Sequence, residues 1–171
     1  MPTETTTPNV VTVEALEPRA LQTMLGKYQL QLEFIEDHQP IPGSFWGANE
    51  AGLIGNRLLV RKDTPAHSLL HEACHYICMS ADRRQGLHTN AGGDYDEENA
   101  VCYLQILLSA RLPPLDPARM QADMDAWGYS FRLGSARDWF EQDAGDAKAW
   151  LVRYGLIDRD QRVQWTLRNT A

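Results

Sequence analysis

The segment HSLLHEACHYICMS, residues 67–80, holds His71, Glu72 and His75 in the order His-Glu-x-x-His. It is preceded by Asp63-Thr64-Pro65, a capping residue followed by proline, which suits the start of a helix and predicts one running to about Met79. Helical residues four apart are separated by about 6 Å along the axis and nearly share a direction around it, so His71 and His75 can converge on one ion. Zinc accepts imidazole nitrogen at about 2.0 to 2.1 Å and prefers four ligands, so a third protein ligand must come from elsewhere in the chain. Glu72 is turned away from direct ligation but can reach a water beside the metal, where a general base belongs.

The neighbours of this triad have ordinary roles. His67 extends the stripe by one turn, but about 12 Å of helix axis separates it from His75, too far for both to reach one zinc. It is expected as a supporting or surface group. Cys74 and Cys78 are expected as small core residues.

Bulk composition bounds the setting. At 171 residues the chain suits one domain with a real core, and a 43% hydrophobic fraction with five Trp and six Tyr marks a globular protein. A net charge of -7 disfavours a phosphate-tracking surface, so no nucleic-acid partner is expected. Cys74, Cys78 and Cys102 form no disulfide framework, and no stretch reads as a secretory signal or a membrane span. The expected setting is cytoplasmic, with no membrane partner.

Along the chain, residues 1–10 read as a disordered tail and residues 11–171 as one domain. A helix is expected from about Pro18 to Leu25, stopped by Gly26. Alternation of Tyr28, Leu30, Leu32 and Phe34 with polar residues predicts a half-buried strand. Glycines at 43, 47, 52 and 55 between short apolar runs predict two or three tightly turned strands, the last ending near Lys62. After a polar loop a second long helix is expected from roughly Glu97 to Arg111, ended by Pro113 and Pro114. Three shorter helices follow, opened by Asp116-Pro117, by Ser135 and at about Ala147, and RVQWTLR reads as a terminal strand.

Several acids compete to be the third ligand. The metzincin pattern HExxHxxGxxH/D would place it at Ala81; Asp82 comes one residue late, and Cys78 stands where a glycine must turn the chain. Asp94 and Asp96 suit the N-cap of the second helix. Glu97 and Glu98 fall in that helix's first turn, where either could cross to the histidines or simply complement the helix dipole.

HEACH followed by EENAVCYLQILLSARLP resembles the ImmA/IrrE group of gluzincin-like zinc metallopeptidases, whose second helix reads approximately E-x-x-A-N-x-F-A-x-x-L-L-x-P. Glu97, Ala100, Leu107 and Leu108 match, and Tyr103 stands at the Phe position. Cys74 replaces the usual Gly, Val101 the Asn, and the closing proline is displaced to Pro113. The likeness covers roughly residues 40–113 and selects Glu97 over Glu98. It implies an α+β, zincin-like fold: a small antiparallel or mixed sheet packed on the HExxH helix and a second ligand helix, with a helical C-terminal portion.

The function this implies is zinc-dependent hydrolysis of a peptide or protein substrate. His71, His75 and Glu97 would hold Zn2+, and Glu72 would act as general base on the water at its open position. His88 is the first candidate to stabilise the oxyanion, followed by Tyr76 and Tyr95. Such proteins bind substrate as an added strand, for which residues 44–49 with Trp46 are the expected edge. The alternative is a zinc-stabilised regulatory or binding module without turnover.

Overall fold

Proline at a first helical turn costs no hydrogen bond, because that N–H has no partner inside the helix. Pro18 accordingly opens α1 (Pro18–Lys27) in the computed structural model, which describes residues 9–169. The Glu17 carboxylate caps α1 by accepting from the backbone of Arg19 and Ala20. Gly26 lies inside the helix rather than ending it. Residues 1–8 of the expected tail lie outside the described residues. Asn9 and Val10 belong to the fold, since Val10 is buried and the Asn9 carbonyl accepts from Arg119.

Three short strands follow: β1 (Gln31–Phe34), β2 (Gly52–Ile54) and β3 (Arg57–Val60). They form a mixed sheet in the order β1-β3-β2, with β1 parallel and β2 antiparallel to the central β3. The expected alternation is only partly realised. Tyr28 and Leu30 are buried ahead of the strand, whereas Phe34, the last residue of edge strand β1, is 57% exposed. The outer edge of β2 is already occupied: Leu53 N–H donates to Gly43, Thr89 N–H to Leu53, and Gly55 N–H to Leu87. Residues 44–49 therefore form no free edge. They fold into a turn in which Gly47 N–H donates to Ser44 Oγ and Glu50 N–H to the Gly47 carbonyl.

The motif helix, α2 (Ala66–Cys78), is buried at every residue except His71. A helix buried on nearly all sides has cover on nearly all sides, which places α2 at the centre of the molecule. Its start lies at Pro65 with no side-chain cap; the Thr64 hydroxyl instead accepts from the backbone of Arg61. The expected polar loop contains a short helix, α3 (Ala81–Gln85). α4 (Tyr95–Ser109) opens with Asp94, whose carboxylate accepts from Glu97 N–H, and packs along α2. The remaining helices are α5 (Pro117–Trp127), α6 (Ala136–Gln142) and α7 (Gly145–Arg153). Asp116 and Ser135 cap the first two of these, as their sequence positions predict.

The chain is thus α+β, with seven helices and one small mixed sheet among the described residues. Among the described residues no helix is long and apolar enough to cross a membrane. The expected terminal strand is absent from the described residues. That segment makes one isolated bridge, Val163 to Ile157, then runs across the end of α2, where Arg168 N–H donates to the Ile77 carbonyl at 3.0 Å.

Gly52 is the position where a side chain would do most damage to the sheet, because an added Cβ would lie 2.0 Å from the Pro42 carbonyl oxygen. Gly52→Ala should lower stability by about 1–3 kcal/mol, the usual cost of overpacking. Urea denaturation of the two proteins measures it, and equal midpoints would show that the 42–52 turn yields freely.

Candidate metal centre

His71 and His75 lie one turn apart on α2, with ring centroids 4.7 Å apart and planes at 86°. Their Nε2 atoms approach to 3.1 Å. From α4, Glu98 brings one carboxylate oxygen to 3.4 Å from His75 Nε2 and the other to 3.8 Å from His71 Nε2. These three side chains form the metal-capable cluster found among the described residues.

The spacing tests whether an ion fits. Ligand atoms at about 2.0 to 2.1 Å from a tetrahedral centre stand about 3.3 to 3.4 Å from one another. Two of the three separations fall within a few tenths of an ångström of that edge, and the third needs only a small rotation of the carboxylate. Donor chemistry agrees with this. Burial lowers the pKa of His71, and burial with His71 and Arg83 nearby holds His75 well below the ordinary range, so both rings are neutral as ligation requires. His75 Nδ1 is buried with no partner. His71 Nδ1 faces Gln105 Oε1 at 2.9 Å.

Glu97 is not part of this cluster. It is buried on another side of α4, where Arg83 reaches both its oxygens at 2.8 and 3.0 Å and Arg168 reaches one at 3.4 Å. Consecutive helical residues point about 100° apart, so one position in register exchanges a member of the cluster for an ion-pair partner. The likeness to E-x-x-A-N-x-F-A selects Glu97; the packing of α4 on α2 presents Glu98.

Glu72, expected as general base, is 6% exposed on α2. Burial, with Glu50 and Glu98 nearby, pushes its pKa up to about 8. His88 does not come to the site. It is exposed at the sheet edge, paired with Ile54, with Nδ1 at 2.7 Å from the Thr89 hydroxyl. Tyr76 lies under Arg84 on another face. Tyr95, 74% exposed, does line the cleft that opens at the cluster.

That cleft, of about 620 Å³, is bounded by His71 and Glu98 on one side and by Trp46, Glu50, Trp127, Tyr129 and Phe131 on the others. Sequence reasoning missed most of these walls. Glu50 accepts from Trp127 Nε1 at 2.8 Å, and burial raises its pKa. The Tyr129 hydroxyl lies 3.1 Å from Nδ1 of the buried His67, and its ring stands edge-on to His71. His67 is thus a supporting group, one of the roles anticipated for it. Comparison with protein-family models, curated proteins and solved structures finds no match to this chain.

Two experiments follow from this geometry. Glu98→Ala should abolish stoichiometric zinc binding in a chelator competition. Glu97→Ala should keep zinc binding but cost stability, about 3 kcal/mol, because Arg168 is left buried without its partner. The reverse pattern would restore Glu97 as ligand.

The second concerns Glu72. The unfolded carboxyl releases its proton near 4.5 and the folded one near 8, so between those pH values the folded state holds a proton that the unfolded state has lost. Stability of the metal-free protein should fall as pH rises through that window. Glu72→Gln should be the more stable protein at pH 8 by on the order of a few kcal/mol and no different near pH 4. Denaturation curves that coincide at both pH values would contradict this burial effect.

Proposed function

We propose that this protein is a zinc-dependent hydrolase of peptide or amide bonds with a zincin-like arrangement. The observation that supports it most strongly is the convergence of His71 Nε2, His75 Nε2 and the Glu98 carboxylate at separations close to the edges of a zinc tetrahedron. Three protein ligands leave one corner of a tetrahedron open, which is the mark of a catalytic rather than a structural zinc. When bound, zinc would polarise the substrate carbonyl and acidify a water at that corner.

The chain's own residues supply the remaining work. Glu72 sits on the same turn of α2 as His71, and its raised pKa suits a base that takes a proton from attacking water and returns it to the leaving amine. Tyr95 carries an exposed hydroxyl on the cleft wall, one turn before Glu98, and is the donor best placed to meet a developing oxyanion. Trp46, Trp127 and Phe131 offer apolar wall to substrate side chains and help exclude water. With β2's outer edge paired internally, the substrate lies in this aromatic cleft instead of extending the sheet at residues 44–49.

Zinc-loaded protein should cleave members of a peptide library, and Glu72→Gln should retain one zinc while losing about 10²- to 10⁴-fold in rate, the usual weight of general acid–base catalysis. Mass spectrometry of the products and zinc assay of both proteins provide the check. Full zinc content with no cleavage by wild type would instead identify a zinc-stabilised binding module.

A further inference from the structure

Gln105 is fully buried on α4, seven residues and two turns beyond Glu98, facing the same side of α2. A side-chain amide has an accepting oxygen and a donating nitrogen, and in Gln105 the surroundings decide which end goes where. Its Nε2 donates to the His67 carbonyl at 2.9 Å and lies 3.5 Å from Met120 Sδ; a carbonyl can only accept. Turning the amide over would set two oxygens against each other at that distance. The Oε1 end is therefore committed to His71 Nδ1, 2.9 Å away. Because a carbonyl-type oxygen only accepts, His71 has to carry its proton on Nδ1. The lone pair of the neutral ring is then on Nε2, the atom that points at His75 and Glu98.

His75 provides the contrast within the same site. Its Nδ1 is buried with no partner, so nothing holds its proton there. In the metal-free protein the 3.1 Å contact between the two Nε2 atoms makes His75 the donor and His71 the acceptor. Loading a cation then requires His75 alone to change tautomer.

We infer that Gln105 is a positioning residue which presets the His71 tautomer for metal binding and does so without adding charge. This rests on the metal-centre reading above. Metal-bound imidazoles commonly lean on a carboxylate, backbone carbonyl or water, and a carboxylate makes the ring a stronger donor to the metal. A neutral amide fixes orientation while leaving Glu98 as the single anionic ligand, which keeps the metal more electrophilic.

Nitrogen-15 NMR of the imidazoles tests this in the wild-type protein. After chelation His71 should be found as the Nδ1–H tautomer and His75 as Nε2–H, and zinc should convert His75 only. Finding the His71 proton on Nε2 overturns the inference. Gln105→Met, close in volume, should weaken zinc binding by about 10- to 100-fold in chelator competition. Zinc affinity in Gln105→Met within about twofold of wild type also overturns it. If Gln105→Met does not fold, the wild-type tautomers decide. A wild-type protein that binds no zinc while showing the expected His71 tautomer would sink the metal-centre reading instead.

Discussion

Three ligand atoms can share an ion only if they are held to within a few tenths of an ångström, and here that precision depends on α2 lying against α4. Two of the atoms come from one helix and the third from the other, so the contact between the helices sets every cross-helix distance in the cluster. The enclosure of α2 on nearly all sides makes that contact unyielding, because a packed interior transmits displacement instead of absorbing it. His71, the one α2 residue not fully buried, faces the cleft. This buried helix thereby presents its one partly exposed residue at the candidate metal centre.

Much of this was legible beforehand, and for identifiable reasons. Spacing within one helix is local information, so His71, Glu72 and His75 could be placed together from their numbers alone. Caps are local as well, which is why Asp94, Asp116 and Ser135 occupy the roles their sequence positions predict. Short strands are a different matter. β1 is shorter than its alternating pattern, since Tyr28 and Leu30 find cover in the core before pairing begins, and RVQWTLR has strand-like residues but no strand beside which to lie. Pairing partners are distant in sequence, and no local pattern states whether one is available.

The third member of the cluster shows the same division. That a glutamate at the start of α4 crosses to α2 could be read; which of two adjacent glutamates does so depends on helix rotation. α4 is buried around most of its circumference, from Glu97 and Val101 on one stripe to Ala100 and Tyr103 on another, so its hydrophobic pattern carries little phase information. One signal was present in the polar residues. Gln105 interrupts the apolar run YLQILL, and a stripe drawn back through it by four and then three residues passes Val101 or Cys102 and arrives at Glu98. Walls such as Trp127 and Tyr129 had no comparable marker, because they reach the cleft from a segment that shares no periodicity with the motif helix.

The buried Glu97 has a bearing on how the polypeptide matures. One of its two cationic partners, Arg83, precedes it closely, but the other, Arg168, lies 71 residues downstream, almost at the last residue described. Arg168 also ties down carbonyls at the end of α2 and rests on the rings of Trp150 and Tyr154. Until residue 168 has been synthesised that tie cannot form, and the Glu97 carboxylate is left with Arg83 alone. This corner is therefore completed only when a segment 71 residues beyond Glu97 folds back across the end of α2.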